Sequence, residues 1–130
     1  MNAEIKISIV DDFVTVRKLI KNYLKEFGYR NTVEAEDGAL AMKALKSQTI
    51  DFIISDWNMP NMSGIELLIA MRADIDFCKI PFLMITAEAA KDNIIEALKA
   101  GVSNYIVKPF TPAKLNEKIV QILEKQNRAT

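Results

Sequence analysis

The chain has 130 residues, 50% of them hydrophobic, which is one domain's worth of sequence with enough apolar material for a core and too much for a disordered chain. Its 17 Lys+Arg and 17 Asp+Glu give a formal net charge of +0, so no basic surplus exists to follow a phosphate backbone and nucleic-acid binding is not expected. One cysteine, Cys78, and the complete absence of histidine exclude an internal disulfide framework, a Cys-cluster zinc site, Ser-His and Cys-His hydrolysis, and phosphohistidine chemistry on this chain.

Apolar segments of two kinds alternate along the sequence. Ile5 to Val10 is short, β-branched and followed at once by acids, which predicts a strand. Val16, Leu19, Ile20, Tyr23, Leu24 and Phe27 recur at spacings of three and four, a helix stripe that Gly28 stops. Thr32 to Glu36 reads as a short polar strand. A second helix stripe, Leu40, Ala41, Ala44 and Leu45, follows Asp37-Gly38. Phe52-Ile53-Ile54 is a continuous apolar run of buried-strand type. Ser63-Gly64-Ile65-Glu66 is a capping box, with Leu68 and Ile69 behind it. Pro81 introduces another buried strand, Phe82 to Ile85. Ile94, Ile95 and Leu98 mark a fourth helix closed by Gly101, and Tyr105-Ile106-Val107 a fifth strand. Thr111-Pro112 starts the last helix, with Leu115, Ile119, Ile122 and Leu123 inward.

That order is βαβαβαβαβα, which predicts a parallel sheet with helices on both faces: an α/β fold, a three-layer α/β/α sandwich of five strands. A closed eight-stranded barrel needs roughly twice the chain. The whole of residues 1–130 reads as a single domain with no output domain attached. The N-terminus lacks the basic and apolar regions of a signal peptide, and no apolar run approaches the ~20 residues of a membrane span, so a cytoplasmic location without membrane insertion is expected.

The residues that follow the strands carry the chemistry. Asp11-Asp12 follows the first, Asp56 ends the third, Thr86 the fourth and Lys108 the fifth. In a parallel sheet these carboxyl ends share one edge, where such folds bind ligands. Each residue alone has an ordinary reading. Asp12 can cap the first helix, Asp56 can belong to a turn, Thr86 can end a strand, and Lys108 can be a solvated lysine. Asn58 and Glu88 read as turn and surface residues, Tyr105 as a half-buried aromatic, and Met59, Met62 and Met71 as packing.

The joint placement says more. Three clustered carboxylates repel, so either a pKa rises or a cation sits among them. Oxygen donors without His or Cys suit Mg²⁺, with Mn²⁺ as a substitute, and Mg²⁺ completes its shell with water and phosphate oxygens. Lys108 offers a point charge for phosphate and Thr86 a hydroxyl. An aspartate in that setting can be a nucleophile that forms an acyl phosphate, which makes this a site for receiving phosphate on Asp56.

Asp11-Asp12, Asp56, Thr86-Ala87 and Lys108-Pro109 together resemble the signature of the response-regulator receiver family, over essentially the whole chain. The stretches Val10-Asp11-Asp12-Phe13 and Ser55-Asp56-Trp57-Asn58-Met59-Pro60-Asn61-Met62 are similar to its single-domain chemotaxis members. The resemblance implies a flavodoxin-like (βα)5 fold with strand order 2-1-3-4-5. It implies that Asp56 is the phosphoacceptor, that Asp11, Asp12, Asp56 and the backbone carbonyl of Asn58 hold Mg²⁺, and that Thr86 and Lys108 bind the phosphoryl group. It makes Thr86 and Tyr105 a switch pair, gives Asn58 and Glu88 a part in tuning dephosphorylation, and makes the Lys108–Pro109 peptide cis. Ser63 stands where the family often carries an acid, and both residue types cap a helix.

The function so implied is a phosphorylation-activated switch rather than a turnover enzyme, one that promotes its own phosphorylation and slow autodephosphorylation. Its implied partners are a chemotaxis histidine kinase, a flagellar motor switch protein and a dedicated phosphatase. It is expected to be a monomer, with a partner surface that includes Lys91, Tyr105 and Lys118. The alternative is a phosphorelay intermediate that passes the phosphoryl group to a histidine phosphotransfer protein. An aspartyl-phosphate phosphohydrolase is disfavoured, because its general acid/base belongs two residues after the nucleophile, where Asn58 stands. A phosphorylation-incompetent binding module is disfavoured by the presence of all five site groups.

Overall fold

The computed structural model describes residues 4–87 and 91–128. Ten elements alternate strictly: β1 (Ile7–Val10), α1 (Val14–Glu26), β2 (Thr32–Ala35), α2 (Gly38–Ser47), β3 (Phe52–Asp56), α3 (Gly64–Arg72), β4 (Phe82–Thr86), α4 (Lys91–Ala100), β5 (Asn104–Val107) and α5 (Pro112–Arg128). The strands form one parallel sheet in the order β2-β1-β3-β4-β5. Among the described residues no helix is long and apolar enough to cross a membrane.

Strand alternation divides the core in two. Ile7, Ile9, Phe52, Ile54, Leu83, Ile85 and Ile106 point to one face, where they meet Ile20 and Leu24 of α1 and Leu115, Ile119 and Ile122 of α5. Val10, Ile53, Phe82 and Met84 point to the other, against Ala41 and Leu45 of α2 and Leu67, Leu68 and Met71 of α3. Both faces of β1, β3 and β4 are therefore buried, which explains why those strands read as unbroken apolar runs. β2 lies at the sheet edge and is only partly covered, in keeping with its polar sequence.

Local signals set the helix starts. Ser63 caps α3 and accepts from the Glu66 N–H, while the Glu66 side chain accepts from the Ser63 N–H. Asp37 caps α2 through the Leu40 N–H, and the Thr111 hydroxyl accepts from the Lys114 N–H at the start of α5. Gly28, at φ 88°, ends α1 at the expected stop. The buried stripes are narrower than the sequence spacing predicts: Leu19, Leu40, Ile69 and Leu98 are exposed, because a helix on a sheet buries a narrower arc than a three-four spacing collects.

Candidate functional site: an acidic pocket at the carboxyl edge of the sheet

The strand order places the ends of β1, β3, β4 and β5 side by side, and the chemistry-bearing residues gather there. Asp11 continues β1. Its N–H donates to the Ala35 carbonyl of β2 at 3.1 Å, and its Oδ1 accepts from the Phe13 N–H at 2.9 Å. Asp11 is fully buried. Asp12 is not the N-cap of α1; that position is Phe13, with no side-chain capping bond, because Asp11 bridges the turn instead. One carboxylate oxygen from each of Asp11, Asp12 and Asp56 lies within 4.8 Å of the other two.

Lys108 enters from the far side of the sheet. Its backbone N–H donates to the Thr86 carbonyl at 2.8 Å, tying the ends of β4 and β5 together. Its ammonium reaches Asp56 Oδ1 at 3.3 Å and Asp11 Oδ2 at 3.9 Å. The Lys108–Pro109 peptide is cis. Thr86, the last residue of β4, is buried beside this group.

Two carboxylates of the acidic cluster have displaced titrations. Burial pushes the Asp56 carboxyl above the usual aspartate range; the Lys108 ammonium opposes this and does not overcome it. Burial likewise raises Asp11, against the bond from the Phe13 N–H, with the Asp56 charge adding to the rise. Among the described residues Asp11 Oδ2 and Asp12 Oδ1 are buried without a hydrogen-bond partner. Buried, convergent, unsatisfied carboxylate oxygens are what a hard divalent cation satisfies, and no nitrogen or sulfur ligand competes. The donor set fits Mg²⁺.

The loop after β3 is held from outside. The Trp57 N–H donates to the Ile85 carbonyl, and the Gly64 N–H to the Trp57 carbonyl at 2.8 Å. A Cβ on Gly64 would collide with the Asp56 carbonyl oxygen, so only glycine lets α3 start this close to the end of β3. Asn61, at φ 65°, donates from its side-chain amide to Asp37 Oδ2 at 2.9 Å. Asn58 lies in this loop and is exposed.

The other expected site residues stand elsewhere. Tyr105 pairs in register with Met84 on β5, is half-buried, and carries the Lys118 ammonium 5.5 Å from its ring centroid. That pair lies on the β5–α5 surface rather than in the acidic pocket. Lys91 begins α4, but its side chain, like all of Glu88, lies outside the described residues. Met71 is fully buried and Met59 packs against the same core, as a packing role requires.

Sequence reading missed three residues around the pocket. Arg17 is buried on α1, donating from Nη1 to the Asp11 carbonyl at 2.7 Å and from Nε to Glu34 Oε1 at 2.9 Å. A signal existed: Arg17 shares the inner face of α1 with Ile20 and Leu24 at spacings of three and four. Asp37 and Asn61 read as turn residues, and nothing local links positions 24 apart.

Comparison with known proteins agrees with this geometry. The profile of the response regulator receiver domain matches residues 7–120. The chain is 55% identical over 122 residues to the chemotaxis protein CheY of Pseudomonas aeruginosa, covering 94% of this chain and 98% of that one. It is 53% identical over 125 residues to the chemotaxis protein CheY-3 of Vibrio cholerae, covering 96% of each. Among solved structures, the chemotaxis response regulator CheY4 of Vibrio cholerae superposes with a TM-score of 0.85 at 32% identity, covering 92% of this chain and 98% of that one. A CheY-like receiver domain protein of Methanospirillum hungatei gives 0.86 at 28% identity, covering 98% and 99%.

Proposed function

The chain belongs to the response-regulator receiver family, and from that premise we propose that it is a phosphorylation-activated switch of the chemotaxis type, with Asp56 as phosphoacceptor. The observation that carries this is the convergence of the Asp11, Asp12 and Asp56 carboxylates with the Lys108 ammonium at one sheet edge. An Asp56 carboxylate oxygen attacks the phosphorus of a phosphohistidine on a partner kinase, or of a small acyl phosphate. The new bond is O–P. The broken bond leaves its electron pair on the donor's nitrogen or oxygen, and a donor imidazole then takes a proton from solvent. The absence of histidine on this chain means that the donor is another molecule.

Asp11, Asp12, Asp56 and the Asn58 backbone carbonyl would hold Mg²⁺, or Mn²⁺ in its place. The bound ion supplies neutralising charge for the phosphoryl oxygens. Lys108 and the Thr86 hydroxyl bind those oxygens from the other side. Asn58 and Glu88 flank the acyl phosphate and tune its slow hydrolysis, so the chain is a switch and not a turnover enzyme.

The phosphoryl group adds about −1.5 to −2 charges at the rim. Drawing Thr86 toward it opens space that Tyr105 can fill, which alters the surface of α4, β5 and α5, including Lys91, Tyr105 and Lys118. We read this surface as the dock for a flagellar motor switch protein, in the cytoplasm, with a chemotaxis histidine kinase as donor. The names of the relatives, chemotaxis proteins, favour this over a phosphorelay intermediate. Affinity capture with and without beryllofluoride separates the two. Beryllofluoride-dependent recovery of a motor switch protein supports the proposal, and recovery of a histidine phosphotransfer protein instead rejects it.

A further inference from the structure

We infer that Arg17 is a positioning residue for the acidic pocket: its guanidinium fixes the peptide between Asp11 and Asp12 and so aims the Asp12 carboxylate at the bound cation. The inference rests on the metal-site reading above. Both ends of the Asp11 residue are tied to β2. Its N–H donates to the Ala35 carbonyl at 3.1 Å. Its carbonyl accepts from Arg17 Nη1 at 2.7 Å, while Arg17 Nε is held by Glu34 Oε1 at 2.9 Å. One guanidinium thus spans the edge strand and the acidic turn, with the planar two-donor geometry that lysine lacks.

The Asp12 side chain needs such a device. Asp11 is oriented by its own Oδ1 bond to the Phe13 N–H, and Asp56 by its place at the end of β3 and by Lys108. Asp12 Oδ1 is buried with no hydrogen-bond partner among the described residues. Its direction is therefore inherited from the backbone, and the first peptide plane before it is the one that Arg17 grips. Outer groups of this kind orient metal ligands and typically contribute roughly 10–100-fold in metal affinity.

Charge and position make opposite demands on the same substitution. If Arg17 acted only as a nearby positive charge, removing it would strengthen cation binding. If it acted only as part of the helix–sheet packing, folded variants would bind Mg²⁺ as the wild type does. A positioning role requires weaker binding from the folded variant.

The test is calorimetric titration of Mg²⁺ into the full chain, each variant first shown to be folded by circular dichroism at the titration temperature. Arg17→Met is expected to bind about tenfold more weakly than wild type. Arg17→Lys keeps the charge but cannot hold Asp11 and Glu34 together, and is expected to be several-fold weaker. Unchanged or tighter binding by Arg17→Met overturns the inference. Should Arg17→Met not fold, unchanged binding by Arg17→Lys overturns it instead. No binding by the wild-type chain overturns the metal-site reading itself, a result distinct from either of these.

Discussion

The Lys108 ammonium lies 3.3 Å from Oδ1 of Asp56, against the carboxylate proposed to take the phosphoryl group. The same carboxylate has an oxygen within 4.8 Å of one from each of Asp11 and Asp12, the cluster a divalent cation would occupy. On the proposed function, lysine and metal would therefore compete for this carboxylate before phosphorylation and act together afterwards, when the phosphoryl oxygens would give both a place.

Lys108→Ala is accordingly expected to have opposite effects on the two events. Mg²⁺ should bind about two- to fivefold more tightly, the scale of one partly exposed ion pair. Phosphorylation by a small acyl phosphate should slow by at least about tenfold, because a charged group that stabilises the transferring oxygens is gone. Calorimetry and labelling rates measure the two separately. Weaker Mg²⁺ binding would mean that Lys108 orients the carboxylates rather than competing for them.

Raised titrations at Asp56 and Asp11 give the metal-free chain an unusual pH dependence. Burial is the leading cause at both, with Lys108 opposing it at Asp56. Between the ordinary aspartate value and the raised one, the folded state binds more protons than the unfolded state. The contribution to stability is complete below the ordinary value and is lost as pH rises through the raised one. Asp56→Asn removes one of these groups and relieves Asp11, which it faces together with Asp12 and Lys108. In chelator, its stability advantage over wild type should therefore grow as pH rises from the ordinary aspartate value toward neutrality. Urea midpoints across that range measure it, and a constant difference would contradict the repulsion argument.

Asp37 has the opposite sign. Its bond from the Asn61 side chain, followed by that from the Leu40 N–H, holds its carboxyl below the usual range. Its stabilisation is present at neutral pH and is lost as pH falls through the lowered value. Asp37→Ala should cost about 1–2 kcal/mol at pH 7, the scale of a lost N-cap, and that cost should shrink in acid. Because Asn61 lies in the loop after β3, labelling at Asp56 should slow as well. Wild-type labelling in the folded variant would show that the loop holds its shape without this bond.

Output should depend on the Tyr105–Lys118 contact. The ammonium 5.5 Å from the ring favours the present, half-buried position of Tyr105. A motor switch peptide should bind the beryllofluoride-activated chain roughly 5–150-fold more tightly than the unmodified one, the usual range of such couplings. Tyr105→Ala should reduce that ratio, as a fluorescence titration would show. Equal affinity in both states would reject motor docking.

Much of this is legible in the sequence alone. Strand ends announced themselves because buried parallel strands are continuous apolar runs that stop at charged residues, as Ile9-Val10-Asp11 and Ile54-Ser55-Asp56 do. Position at one sheet edge then followed from parallel topology alone. The strand order itself came with the family resemblance, since no residue pattern fixes which neighbour β1 chooses. Arg17 was not read, because a charged residue on an apolar stripe becomes visible as buried only when its acceptors, the Asp11 carbonyl and Glu34, are brought together by the fold. The ordinary reading of Asp12 taken alone, a helix cap, does not hold for a similar reason: two adjacent acids compete for one turn, and Asp11, anchored to β2, takes it.

The most direct measurement of the central claim is intact-mass and peptide-level detection of phosphoryl incorporation from a small acyl phosphate. Incorporation of one acid-stable, base-labile phosphoryl group at Asp56 is expected with Mg²⁺ and not in excess chelator. It should be absent from Asp56→Asn under either condition. Full incorporation in chelator, or undiminished incorporation in Asp56→Asn, would contradict it.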